Sequence, residues 1–394
     1  MKMLLAATAT IALTAGAGLA AEDIKLGISF GYTGPLESMS PNMTSGVELA
    51  VKEVNDSGLL LDGATVSVEK ADSTCVDVAA AVIAAQRLVD DGVKGIVGGM
   101  CSGETIATLE QIGVPNGIVM ISPSATSPAL STIEDDGLFF RTSPSDARQG
   151  EVMAEIVLER GINSVAVTYT NNDYGKGLAD SFEASFKEKG GSVTINSAHE
   201  DGKADYSAEV AALDAAGGDA LVVVGYVDQG GSGIVQGALD AGAFDVFVFP
   251  DGMVGQVLVD KFGTELAKSF GQNPAAEGEG RETYLEMAQT AGFDGSSAFA
   301  AESYDAAALI MLAMQAAGSS DPKVYKDKVF EVANGPGEPI MPGQLAKGLE
   351  LLKAGQDIDY IGATSIEMVG AGESAGTYRE VQFPNGELEI VGYR

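Results

Sequence analysis

Several residue groups have types and spacings that suggest chemistry. Gly231-Ser-Gly233-Ile-Val-Gln-Gly237 follows an apolar run, and Asp251 ends the next one. This imitates a dinucleotide site, where glycines admit a pyrophosphate and an acid holds a ribose. The spacing is not G-x-G-x-x-G, and Tyr226-Val-Asp-Gln229 separates run from glycines, so the match fails. A single histidine, His199, leaves histidine-dependent triads and zinc sites short of parts, and its place near a strand end reads as solvated. Asp201-Gly-Lys-Ala-Asp205 lacks calcium-loop spacing. Among 56 acids nothing singles out a glycosidase pair. No metal, cofactor or catalytic residue is expected.

What remains is a set of loops after apolar runs. Met100-Cys-Ser-Gly-Glu-Thr105 leads into a helix start, where free N–H groups and the Ser102 hydroxyl suit a carboxylate. Pro123-Ser-Ala-Thr-Ser-Pro128 follows the next run. Ser102 and Thr126 read equally well as helix caps. Further on, Asn171-Asn-Asp-Tyr174, Tyr226 and Pro250-Asp-Gly252 close three more runs. Rings and an acid at successive strand tips suit a cationic group; each alone also serves as packing or as a turn.

These loops need a scaffold that brings strand tips together. Apolar strands at 24–31, 65–71, 95–99 and 117–122 alternate with helices at 42–55, 76–89 and 103–112. A second run has helices at 151–160, 177–189, 207–216 and 233–241, with strands at 164–169, 192–198, 220–225 and 244–249. Such βα order calls for parallel sheets covered on both faces. The fold class is α/β with two doubly wound, Rossmann-like lobes and a seam near 139–144. Helices at 281–289, 297–317 and 322–332, a loop at 335–343, and short strands at 366–369, 378–383 and 387–391 complete the chain. Pro384-Asn-Gly386 marks a hairpin turn between the last two strands.

The chain has 394 residues, with Lys+Arg 23 against Asp+Glu 56 and a net charge of −33. That excludes the basic footprint of a nucleic-acid binder and disfavours anionic lipid. Lys2, the apolar stretch 3–19, and Gly18 and Ala20 form a signal-peptide pattern over 1–20, with cleavage near Ala20/Ala21. The mature chain is expected to be exported and soluble. The stretch 301–317 comes nearest to a membrane span but contains Glu302, Asp305 and Gln315. Two cysteines, Cys75 and Cys101, suggest a disulfide in an exported protein.

The ordered set Tyr32-Thr-Gly-Pro35, Asp72 to Cys75, Met100-Cys-Ser102, Ser122 to Pro128 and Phe140-Arg-Thr142 resembles the leucine/isoleucine/valine-binding proteins. Asp173-Tyr-Gly-Lys-Gly177, Gly225-Tyr226, Pro250-Asp-Gly252 and Ser303-Tyr-Asp-Ala306 extend the likeness over the mature chain. The resemblance implies a type I periplasmic binding protein: two lobes joined by three crossings, closing on a ligand by hinge motion. One lobe would hold 22–142 plus 275–372, the other 143–274 plus 373–394.

By position, Ser102 would take an α-carboxylate, Ser124 both α-groups, and Thr126 the ammonium. Asp251 would pair with the ammonium, with Tyr174 and Tyr226 closing over it; Met39 and Met100 would line the side-chain pocket. The family also carries a matching disulfide, consistent with Cys75–Cys101. The implied role is a periplasmic amino-acid receptor, monomeric, partnered by the membrane permease of an ABC importer. Asp251 is shorter than the family's Glu, Met39 replaces a larger aromatic, and Glu104 stands where small hydroxyl residues are common. Glu104 either favours the helix start or faces the pocket. A branched-chain amino acid is therefore the family-level ligand, with other amino acids, amides and small carboxylates open. An exported amidase or glycosidase and a sensor-type binding module are the competing classes.

Overall fold

The computed structural model describes residues 22–394, so the expected leader lies outside the described residues. Five strands, β1 (Asp23–Phe30), β2 (Thr65–Asp72), β3 (Ile96–Gly98), β4 (Met120–Ser122) and β5 (Phe139–Arg141), form a parallel sheet. Five more, β6 (Ser164–Thr170), β7 (Ser192–His199), β8 (Ala220–Val224), β9 (Phe247–Phe249) and β10 (Phe270–Pro274), form another. After the pair β11 (Glu338–Ile340) and β12 (Ile358–Tyr360) come β13 (Met368–Val369), β14 (Glu373–Ser374), β15 (Tyr378–Gln382) and β16 (Glu389–Tyr393). The sheet orders are 13-14-5-4-3-1-2 and 16-15-10-9-8-6-7. Near-continuous burial along β1 and β8 fits strands covered on both faces.

Both sheets therefore share one winding, with strand order reversing between β1 and β3 and between β6 and β8. Ligands of open α/β sheets bind beyond the strand ends at such points. The chain leaves the first sheet after β5, builds the second through β10, and returns to pack Ala300–Ala317 against the helix Ser40–Ser57. Gly46 permits that contact: a Cβ there would meet Ala300 O at 2.2 Å. The last crossing comes later than 372, because Glu373 of β14 pairs with Arg141 of β5 in the first sheet.

Several elements differ from the sequence reading. β5, β10 and the β11–β12 pair, the latter starting inside the stretch read as a loop, are too short or too polar to alternate visibly. The helix read at 103–112 is an α-helix over Ser102–Thr108 that widens into a π-turn at Leu109–Gly113. The helix read from 151 begins at Asp146, capped by the Ser145 side chain accepting from Ala147 N. Phe299 stands outside the helix Ala300–Ala317, left-handed at φ 61°. His199 is buried, with Nδ1 2.9 Å from Thr168 Oγ1, and burial pushes its pKa down to about 4, so the lone histidine is neutral core and not solvated.

Candidate ligand site between the lobes

The site is assembled from loops at the C-terminal ends of strands in both sheets. Cys75 and Cys101 are disulfide-bonded, with Cα atoms 5.1 Å apart. The bond ties the loop after β2 to the residue before helix Ser102–Thr108, holding the 100–102 loop in place. Glu104 holds it from beneath: Oε1 accepts from Met100 N at 2.7 Å, Cys101 N at 3.2 Å and the Ser73 hydroxyl at 3.0 Å. Its acid thus caps the helix start and braces the loop without lining the cavity. Burial pushes its pKa up to about 7.

The neighbouring 123–128 loop is shaped by Arg141, whose buried guanidinium donates to Ala125 O at 3.1 Å and Ser127 O at 2.9 Å and pairs with Glu373. Ser124 Oγ donates to Met100 O at 2.8 Å. Ser102 Oγ accepts from Ser127 N at 3.1 Å. The two serine loops are therefore stitched to one another.

Across the gap, Tyr174 and Tyr226 stack with ring centroids 5.3 Å apart and planes 14° from parallel. Tyr174 OH donates to Asp251 Oδ1 at 2.7 Å, and Gly252 N donates to the same oxygen at 2.8 Å. Asn172 Nδ2 donates to Tyr226 OH at 3.2 Å. Asp251 is buried, and the lost hydration raises its pKa despite the hydroxyl and amide it accepts from.

Leu36, Met100, Cys101, Ser102, Ser124 and Phe299 from the first lobe face Tyr174, Tyr226, Asp251 and Gly252 from the second across about 10 Å³ of free space. The lobes are closed on each other. Ser38 N donates to Asp228 Oδ2 at 3.0 Å, and Asp228 N to Pro35 O at 3.2 Å. A Cβ on Gly177 would meet Pro128 Cδ at 2.8 Å.

Of the residues expected at the site, Ser102, Ser124, Tyr174, Tyr226, Asp251 and Met100 line this cavity. Met39 does not; it lines an adjoining chamber of about 230 Å³ with Val227, Val254 and Arg379. Its place in the apolar wall is taken by Leu36 and Phe299. Thr126 is buried behind the cavity wall, and its hydroxyl has no hydrogen-bond partner.

Sequence reasoning missed Leu36, Phe299 and two buried polar residues, Asp146 and Gln149. Phe299 was hidden inside a helix-like run, and its left-handed backbone is what takes it out of that helix. Asp146 and Gln149 lie in a first helical turn ahead of the apolar pattern; the signal was Ser145 after Pro144. Among the described residues no helix is long and apolar enough to cross a membrane, and no group of three or more His, Cys, Asp or Glu is placed to hold a metal ion.

Comparison with known proteins follows the same lines. A profile of the periplasmic binding protein family matches residues 23–331. A Leu/Ile/Val-binding protein homolog from Brucella melitensis is 31% identical over 359 residues, covering 87% of this chain and 94% of its own. A leucine binding protein from Thermotoga maritima superposes with TM-score 0.79 at 21% identity, covering 94% of this chain and 98% of its own. A branched-chain amino acid transporter substrate binding protein from Streptococcus pneumoniae, solved with isoleucine, gives TM-score 0.77 at 24% identity, covering 94% and 99%. At these identities the two solved structures establish the two-lobed fold.

Proposed function

We propose a receptor function for this chain, which belongs to the periplasmic binding protein family: it captures an amino acid of branched-chain type between its lobes and presents it to the membrane permease of an ABC importer. The observation that carries this reading is the division of the cavity wall. Hydroxyls of Ser102 and Ser124 stand on one lobe, and an acid held by a tyrosine stands on the other. A zwitterion with an apolar side chain matches all three surfaces. Its carboxylate goes to the serine loops, its ammonium to Asp251, and its side chain to Leu36, Met100 and Phe299. The names of the relatives point to the same ligand class.

In this mechanism the first lobe takes the carboxylate, and hinge closure then adds Tyr174, Tyr226 and Asp251. The ligand shifts the hinge equilibrium by binding the closed form better. The receptor works as an exported monomer in the periplasm, and both lobes contribute to the face the permease reads.

A thermal-shift screen over the amino acids and small carboxylates tests the reading. Ligand at a thousandfold its dissociation constant stabilises by about 4 kcal/mol. Leucine, isoleucine or valine is expected to raise the midpoint, and Asp251→Ala to abolish that rise. Equal shifts in wild type and variant refute the ammonium assignment, and turnover of the ligand refutes the receptor.

A further inference from the structure

The adjoining chamber of about 230 Å³ also lies between the lobes. Met39, Asn42 and Ala298 of the first lobe face Val227, Val254 and Val257 of the second across it. Met39, Val227, Val254 and Ala298 stand one to three positions along the chain from Leu36, Tyr226, Gly252 and Phe299, which line the ligand cavity. The two spaces are therefore walled by the same chain segments.

The basic group on the chamber wall is Arg379 of β15, only 6% exposed. Its Nε donates to Asn273 Oδ1 at 2.8 Å and its Nη2 to Ser296 O at 3.1 Å, the second bond crossing between the lobes. Both acceptors are neutral, Nη1 has no hydrogen-bond partner, and among the described residues Arg379 forms no ion pair. Burial and the neighbouring Arg281 lower its pKa only to about 10, so the guanidinium is charged at neutral pH. The field of the buried Glu302 reaches it without an ion pair. Asp294 lines the chamber as well, on an exposed turn where Oδ1 accepts from Ser296 N at 2.9 Å and Ser296 Oγ at 2.6 Å.

Buried charges in folded proteins are paired, because lost hydration is expensive. A guanidinium matches a carboxylate in charge and in donor geometry. Much of the remaining wall is aliphatic, which suits a short hydrocarbon body. Asp294 at the rim disfavours a second negative charge on the ligand. A monocarboxylate with an apolar tail meets all three conditions.

We propose that this chamber is a second ligand site, which takes a small apolar monocarboxylate on Arg379 and, when filled, stabilises the closed form. The site is separate from the amino-acid cleft and goes beyond the receptor reading. Its wall comes from both lobes, so it is complete only when they are closed. A carboxylate bound there favours closure and so strengthens amino-acid binding in the cleft. By linkage, the amino acid strengthens carboxylate binding by the same factor.

Calorimetry with butanoate as the probe tests the site, on protein saturated with L-leucine so that the cleft is filled. Butanoate is expected to bind once per chain, and an excess of it to tighten leucine binding at least about fivefold. Butylammonium, of equal chain length and opposite charge, is expected not to bind. Arg379→Met is expected to weaken butanoate binding at least about tenfold. Val257→Trp fills the chamber while leaving the acceptors of Nε and Nη2 in place. It is expected to abolish butanoate binding and still bind leucine, and it decides the question if Arg379→Met does not fold. Absence of butanoate binding, equal affinity for butylammonium, binding unchanged in either variant, or displacement of leucine by butanoate overturns the inference and leaves the receptor standing. Failure of leucine, isoleucine and valine to bind overturns the receptor reading. The second site is then read from butanoate alone, and stands or falls on its loss in Val257→Trp.

Discussion

Replacing Glu104 by Gln isolates the electrostatic cost of bracing the cleft loop with an acid. The carboxyl is fully buried, and its pKa rises from 4.5 to about 7 because it has left water. A raised acid binds its proton more tightly in the folded state than in the unfolded chain. Stability therefore falls as pH rises from about 4.5 and levels off above about 7. The difference, 7 − 4.5, corresponds to about 3 kcal/mol between the two ends of that window. Gln keeps an acceptor for Met100 N and Cys101 N but carries no charge. The variant is expected to match wild type near pH 4.5 and to exceed it by up to about 3 kcal/mol at pH 8.

Urea unfolding at both pH values measures this directly, and in calorimetry the gain at pH 8 is on the order of 4 °C. Glu302 and Asp305, raised to about 7 and about 6 by burial, add the same slope to both proteins and cancel in the difference. A wild type at least as stable as the variant at pH 8 refutes the reasoning. It would mean that three hydrogen bonds and the favourable field of the helix start outweigh desolvation.

Two further changes probe closure and framework. Gly177→Leu inserts a side chain where even a Cβ meets Pro128 across the cleft; leucine is expected to bind at least about tenfold more weakly and to cause no compaction in X-ray scattering, with the unliganded thermal midpoint not lowered. Wild-type compaction in that variant refutes the closed contact. Changing both Cys75 and Cys101 to Ser opens a loop with a sequence separation of 26, for an expected loss of about 3.5 kcal/mol in denaturant unfolding; a loss below about 1 kcal/mol counts against the bond as a brace of the 100–102 loop.

The main architecture was legible because parallel strands buried on both faces read as apolar runs, and the helices between them carry one apolar stripe. The elements that escaped are those that do not need an apolar pattern. β5 is three residues long and held by neighbours on both sides, while β10 ends in Gln-Asn-Pro and is stabilised by pairing with β9 and β15. At the site, hydroxyls, rings and the acid at strand tips were readable by type and place. Leu36 and Phe299 were not, because an apolar residue facing a cleft looks like one facing a core. Phe299 in particular depends on a left-handed residue that no local sequence rule predicts for phenylalanine. Met39 was placed one turn too far along the same segment, where the helix Ser40–Ser57 begins and turns it toward the adjoining chamber.

The net charge of −33 suggests at first that acids are cheap in this protein. The few that are buried argue otherwise. A surface carboxylate keeps its hydration and is screened by salt, so adding one changes little. Asp251 sits on the second lobe and faces Leu36 and Phe299 of the first across the cavity. Closing the lobes therefore covers the cleft face of this acid and takes it out of water. Without a cation that step is opposed by desolvation; with an ammonium in the cleft that cost is offset. Asp251 thereby makes closure conditional on the ligand, since only differential affinity for the closed form shifts a hinge equilibrium. The prediction is that Asp251→Asn closes more readily without ligand than wild type does. Scattering of the unliganded variant should show a more compact particle at pH 8, where the wild-type acid opposes closure, and a difference that shrinks toward pH 5. An unliganded variant as open as wild type at pH 8 refutes the coupling, and the opposition to closure must then lie in the hinge segments.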